Sequence, residues 1–238
     1  MIYYRKLLPI QAITFDLDDT LYDNLPYIIA AEKALTAFLH DHYPDTQATD
    51  VAFWRQQKNK VLLANPEYKN DMGQLRRSTL QIGLSHLGYK GAELLKATED
   101  SFRHFYHQRS NFLVDESICS LISELAKILP VVAITNGNVD VNRIGVGQFF
   151  QASYQASLAH PMKPDSAMFN AASKFLNIPA ANILHVGDNL AKDVAGAIAA
   201  GYQTAWYAHD RPMNLNNERT GVLPHVQLES LEELKQLI

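Results

Sequence analysis

Asp16, Asp18 and Asp19 place three carboxylates within four residues, directly after the apolar run Ala12-Ile13-Thr14-Phe15. Like charges so close repel one another, and partly desolvated carboxylates drift toward the neutral form unless a cation or strong donors compensate. A hard divalent cation is the simplest compensator. One residue separates Asp16 from Asp18, so in a regular strand they share a face while Leu17 turns away into apolar packing. The plainer alternative is an Asx-rich turn that ends a strand.

Further along the chain the same kind of boundary recurs. Val131-Val132-Ala133-Ile134 ends in Thr135-Asn136-Gly137, and Ile183-Leu184-His185-Val186 ends in Gly187-Asp188, with Lys163 between them and Asp193 shortly after. Phosphoryl transfer needs an in-line nucleophile, a general acid for the leaving oxygen and positive charge against the equatorial oxygens. Each demand has a candidate. Asp16 would attack phosphorus and form an aspartyl-phosphate, its own charge offset by Mg2+ and Lys163. Asp16, the main-chain carbonyl of Asp18 and Asp188 would hold the metal, because Mg2+ takes oxygen ligands and keeps several waters. Asp18 would protonate the departing alcohol and then deprotonate the hydrolytic water. Thr135, with Lys163 and main-chain N–H groups around Leu17, Asp18, Asn136 and Gly137, would bind the phosphate oxygens. Asp193 is expected to hold Lys163 or a metal-bound water.

These groups need strands to present them. An apolar run bounded by polar residues reads as a buried strand of a parallel sheet, whose carboxyl end is where open α/β folds bind ligands. Alternation supports this from Asp115 onward. A helix from Asp115 to Ile128, the strand Val131–Ile134, a helix near Val139–Val146, an apolar stretch near Tyr154–Leu158, a helix Ser166–Leu176, the strand Ile183–Val186, a helix Asp193–Ala200 and the strand Thr204–Tyr207 follow one another. Such a series builds βαβ units and sets successive strand tips on one edge of the sheet. An irregular segment from His209 to Pro224 is expected before a short strand at Val226 and a helix over Leu231–Ile238. Between the first and second strands, helical periodicity appears from Pro26 to Leu39, Asp50 to Leu63, Met72 to Leu87 and Ala92 to His107. The fold expected is therefore α/β, a doubly wound parallel-sheet core over residues 1–21 and 113–238, with an all-helical cap over residues 22–112 inserted after the first acidic tip.

Asp16-Leu17-Asp18-Asp19-Thr20, Ile134-Thr135-Asn136-Gly137-Asn138, Lys163-Pro164-Asp165 and Gly187-Asp188-Asn189-Leu190-Ala191-Lys192-Asp193 resemble, in order and spacing, the four motifs of the haloacid dehalogenase superfamily. The insertion after the first motif resembles its C1-cap subclass. The resemblance implies a Rossmann-like core and Mg2+-dependent phosphatase chemistry on a small phosphomonoester. Thr14 to Asn24, Val132 to Asn138 and Ile183 to Asp188 further resemble the bacterial YigB-type phosphatases of that superfamily. This implies flavin mononucleotide or 5-amino-6-(5-phosphoribitylamino)uracil as substrate. Nucleotides, pyridoxal phosphate and sugar phosphates stay open as substrates. So do a phosphomutase with the same site and a catalytically silent binding protein of the same fold.

The 238 residues are 47% hydrophobic and carry a formal net charge of −4, which suits a packed interior and offers no basic footprint for nucleic acid. No run approaches membrane-spanning length. Cys119, the single cysteine, excludes an intrachain disulfide and is consistent with a reducing compartment, so a cytoplasmic monomer or weak homodimer is expected. Several other residues have ordinary readings. His185 is expected as a hydrogen-bonded core histidine, and Arg76 and Arg77 as a solvated helix face. Trp54, Tyr68 and Trp206 are expected to pack, and Asp19 and Asp165 to cap or orient backbone.

Overall fold

The computed structural model describes residues 1–218 and 221–238. The chain divides into two compact units, Met1–Asn24 with Phe112–Ile238, and Leu25–Asn111.

The first unit is built on seven strands: β1 (Ile2–Tyr3), β2 (Ala12–Phe15), β3 (Val131–Thr135), β4 (Ala152–Gln155), β5 (Ile183–Gly187), β6 (Gln203–Trp206) and β7 (Val226–Gln227). They lie in the order β1-β7-β6-β5-β2-β3-β4, parallel throughout except for the β1–β7 pair. Every residue of β2, β3, β5 and β6 is buried. Burial on both faces explains why these strands read as unbroken apolar runs. Helices α5 (Glu116–Ala126), α6 (Ala167–Leu176) and α7 (Gly196–Ala199) supply the flanking layers. Ala12, Val132, Ile134, Met168, Phe169, Ala172 and Ile183 form one core between sheet and α6.

Register sets the site. Phe15 pairs with Ala133 on one side and Val186 on the other, so Asp16, one residue on, stands level with Ile134 and Gly187. The carboxyl ends of three neighbouring strands thus finish together. The order reversal between β2 and its flanking strands makes this edge the topological switch point of the sheet.

The second unit contains α1 (Leu25–His42), α2 (Val51–Ala64), α3 (Met72–His86) and α4 (Gly91–Arg109). Asp50 and Asp71 cap α2 and α3, each accepting a bond from the main chain three residues on, at 2.8 Å. Ala31, Leu35, Leu39, Leu80, Leu84, Ala97, Phe102 and Phe105 recur at helical spacing and meet as the core of this unit. Arg76 and Arg77 are not a solvated face. Their guanidinium groups stack on Phe105 and Phe102, 3.4 and 3.6 Å from the ring centroids, and pair with Glu32 and Glu99.

Some expected elements differ. Val139–Val146 is a series of turns, not a helix: Asp140 Oδ1 accepts from the N–H groups of Asn142 and Arg143, and Gly145 has a φ of +87°. Buried Val139, Ile144 and Val146 produced the helix-like spacing. The expected Asp193 helix begins earlier, as a π-helical turn over Leu190–Ala195 that runs into α7. The last segment is 3-10 helical over Leu231–Gln236. β1 was not expected. Within the expected irregular segment His209–Pro224, positions 219 and 220 lie outside the described residues. The division between units falls after Asn24 and after Asn111, whereas residues 21 and 112 had been expected to end the segments. Tyr22 and Phe112 meet edge to face with centroids 4.8 Å apart, and the Asn24 N–H donates to Asp19 Oδ1 at 2.9 Å.

Candidate active site

Lys163 sits between two carboxylates. Its Nζ lies 2.7 Å from Asp16 Oδ1, 2.6 Å from Asp193 Oδ1 and 2.7 Å from the Ile134 carbonyl oxygen. An ammonium has three protons, so all are used. Burial works against the charge on Lys163, yet Asp16 and Asp193 outweigh it and raise its pKa. The lysine is therefore held protonated.

Asn136 fixes the lysine's backbone. Its Nδ2 donates to the Lys163 carbonyl at 3.0 Å while its Oδ1 accepts from the Lys163 N–H at 2.8 Å. This reciprocal pair ties the loop carrying Lys163 to the tip of β3. Thr135 is fully buried, and its Oγ1 accepts from the Gly137 N–H at 3.0 Å, closing the turn at the same tip.

One carboxylate oxygen each from Asp16, Asp188 and Asp193 lies within 4.8 Å of the others. Their environments differ. Asp193 Oδ1 faces Lys163 and His185, and its Oδ2 accepts from the Asn189 N–H at 3.0 Å. Burial opposes its ionisation, but Lys163 and then His185 hold its pKa below the usual carboxylate range. Burial pushes Asp16 well up despite Lys163, and pushes Asp188 up to about 7, with Asp193 adding to the effect and Arg211 offsetting part of it. Ionising both of these adjacent carboxylates is therefore disfavoured unless more positive charge is brought to them than Lys163 and Arg211 supply. That donor set, hard oxygens with charge in excess, fits a hard divalent cation such as Mg2+. Asp193, with both oxygens committed, supports the lysine.

His185 is a core histidine held on both sides. Its Nε2 is 3.2 Å from Asp193 Oδ1 and its Nδ1 is 2.8 Å from Thr14 Oγ1. A carboxylate only accepts, so Nε2 carries the proton, and Nδ1 accepts from the threonine hydroxyl. Burial keeps the ring neutral by pushing its pKa down.

Asp18 is half-buried at the edge of this cluster. Its Oδ1 accepts from the Tyr22 hydroxyl at 2.5 Å. A Cβ on Gly137 would come within 2.4 Å of its Oδ2, so the glycine is what lets the carboxylate lie against the β3 tip. Leu17 is fully buried, as its alternation predicted, and its carbonyl accepts from the N–H groups of Thr20 and Leu21. Asp19 takes the orienting role expected of it, at a φ of 61°.

Two contributors were missed by sequence reasoning. Tyr22 gave no signal beyond lying after the first motif. Arg211 fell in the segment read as irregular, yet it reaches Asp188 at 3.1 Å. Trp206, expected to pack, is fully buried and also donates from Nε1 to the Asp188 carbonyl at 2.6 Å.

The profile of the haloacid dehalogenase-like hydrolases matches residues 10–201. The chain belongs to that family. It is 33% identical, over the full length of both chains, to the 5-amino-6-(5-phospho-D-ribitylamino)uracil phosphatase YigB of Escherichia coli. Among solved structures, a 2-haloacid dehalogenase from Pseudomonas syringae superposes with a TM-score of 0.88 at 32% identity, covering 96% of this chain and 97% of that one. The HAD-hydrolase YfnB of Bacillus subtilis, solved with magnesium, shares the fold with a TM-score of 0.62 at 18% identity, covering 97% and 99%. The chain is a phosphoric monoester hydrolase of this family, acting on a small phosphorylated substrate. No helix among the described residues is long and apolar enough to cross a membrane.

Proposed function

We propose that the protein hydrolyses phosphomonoesters through a phosphoryl group carried on Asp16, with Mg2+ as cofactor. The observation that carries the reading is Lys163, buried and bonded at once to Asp16 and Asp193 beside Asp188. A carboxylate approaching a phosphate dianion needs such a cation at its flank. Asp16, Asp188 and the main-chain carbonyl of Asp18 would hold Mg2+, which when bound screens the charge between nucleophile and phosphate.

In the first half-reaction an Asp16 oxygen forms a bond to phosphorus as the ester P–O bond breaks, and the Asp18 carboxyl gives its proton to the departing alcohol oxygen. In the second, water attacks phosphorus and loses a proton to Asp18, and cleavage of the Asp16–phosphorus bond releases inorganic phosphate. The Thr135 hydroxyl and the main-chain N–H groups of Leu17, Asp18 and Asn136 bind the phosphate oxygens, and Lys163 and the Gly137 N–H join them by each exchanging a present partner, the Thr135 hydroxyl oxygen in the case of Gly137, for a phosphate oxygen. Asp18 separates this chemistry from dehalogenation, the activity for which the Pseudomonas protein is described. Halide leaves without needing a proton, whereas an alkoxide does not.

For the substrate we propose flavin mononucleotide or 5-amino-6-(5-phosphoribitylamino)uracil, supported by the full-length identity to YigB. The helical unit, inserted in the chain just after the first motif, is proposed as the cap that selects the substrate. The lone Cys119 supports a cytoplasmic setting. The test is a panel of these two esters, pyridoxal phosphate, nucleotides and sugar phosphates, assayed for phosphate release with Mg2+ and with chelator. The expected outcome is Mg2+-dependent release with the highest kcat/KM on one of the two named esters. Release from none of the panel overturns the proposal, and a clear preference for another ester overturns the substrate assignment alone.

A further inference from the structure

Arg211 grips Asp188 twice. Its Nη1 donates to Asp188 Oδ2 and its Nη2 to the Asp188 main-chain oxygen, both at 3.1 Å. A fork of this kind fixes the rotation of the carboxylate and the peptide that carries it, and only a planar guanidinium supplies it. The same carbonyl accepts from Trp206 Nε1, so three donors converge on one residue at the tip of β5.

The arginine is itself anchored. Nη1 also donates to Asp210 Oδ1 at 2.7 Å, and Nε to Glu218 Oε1 at 3.1 Å. Its segment is packed down: Met213 and Leu215 lie against Leu190, Val194 and Trp206. At its start, the His209 N–H donates to the Asp19 carbonyl at 2.7 Å. The stretch after β6 therefore touches both acidic tips, through Asp19 on one and Asp188 on the other.

One guanidinium facing Asp188, Asp210 and Glu218 leaves this neighbourhood negative, so it cannot stand in for a divalent cation. Its effect is orientation. We propose that Arg211 is a positioning residue that holds Asp188 with its Oδ2 turned to the guanidinium, leaving Oδ1 for the metal. This rests on the reading of Asp188 as a metal ligand. Groups that orient a metal-binding carboxylate typically contribute about 10- to 100-fold to metal affinity.

The test is the Mg2+ dissociation constant of the substrate-free protein, measured by calorimetry for the wild type, Arg211→Gln and Arg211→Lys, with thermal melts in chelator beside it. The expected result is binding weakened by about 10- to 100-fold in Arg211→Gln, with Arg211→Lys recovering little, because an ammonium cannot reproduce the two-point grip. Should Arg211→Gln fail to fold, Glu218→Gln loosens the anchor at Nε while leaving the arginine, and a smaller loss in the same direction is expected. Unchanged affinity in a folded variant overturns the inference, and so does tighter binding, which would mean that the guanidinium competes with the cation. A wild type that binds no Mg2+ overturns the metal reading and this inference with it, whereas binding that is equal in wild type and variants overturns this inference alone.

Discussion

Replacing Lys163 with methionine keeps the length of the side chain and removes the ammonium that Asp16, Asp193 and the Ile134 carbonyl share. Both carboxylates are buried, at 6% and 2% exposure, so neither can recover its hydration. Breaking a buried pair by deleting one partner costs about 3–5 kcal/mol, because an uncompensated charge stays behind. For a chain of this size each kcal/mol moves the melting temperature by about 2–4 °C, so Lys163→Met is expected to melt ~6–20 °C below the wild type at neutral pH in chelator. The sign of the pH dependence follows from the same charges. Without the lysine the folded-state pKa of Asp193 rises from below its unfolded value to above it, and that of Asp16, already raised by burial, rises further. Their contribution is then favourable at low pH and is lost as pH rises, so the deficit narrows as pH falls from neutrality. Differential scanning calorimetry across pH 5 to 7.5, an interval of about 2.5 units, measures both effects. A variant that melts with the wild type at neutral pH, or whose deficit widens in acid, refutes the buried-pair reasoning.

Two further outcomes are expected. Gly137→Ala places a Cβ 2.4 Å from Asp18 Oδ2, and the half-buried carboxylate yields more easily than the strand. Because a general acid contributes about 10²–10⁴-fold, kcat on an alkyl phosphate should fall at least ~10-fold, and less on p-nitrophenyl phosphate, whose leaving group needs little protonation. Equal losses on both substrates would count against Asp18 as the acid. His185 has a depressed folded-state pKa, so its stabilising contribution is complete above its unfolded pKa of about 6.5 and is lost as pH falls below that value. In urea denaturation His185→Gln should lose less stability than the wild type as pH falls from about 6.5 toward 5. An unchanged acid slope would mean that His185 does not titrate on unfolding.

The polar ends of β2, β3 and β5 were legible because strands buried on both faces read as continuous apolar runs, and the first polar residue after each run marks its tip. Register then does what no local pattern reveals: pairing of Phe15 with both Ala133 and Val186 brings residues far apart in the chain to one line. The helices of the second unit were visible through 3.6-residue periodicity and the Asp50 and Asp71 caps. Val139–Val146 misled because three buried apolar residues in a chain of turns can mimic one helix face, and the Asx turn at Asp140 competes locally with helix. Tyr22 and Arg211 escaped for a different reason. Each acts through hydrogen bonds to a single motif aspartate, one from Tyr22 to Asp18 and two from Arg211 to Asp188, and such contacts leave no periodic trace in sequence. Arg76 and Arg77 were misjudged because stacking on Phe105 and Phe102 depends on how helices pack within the unit.

In the proposed reaction every phosphoryl group passes through the carboxylate of Asp16. The most direct measurement is to quench the protein in acid during turnover of its best substrate with Mg2+, reduce the acyl phosphate with borohydride and map the modified peptide by mass spectrometry. Mg2+-dependent conversion of Asp16 to homoserine is expected, absent in chelator and in a folded Asp16→Asn variant that releases no phosphate. Turnover with no modification at Asp16, or modification at another carboxylate, would contradict the proposed reaction.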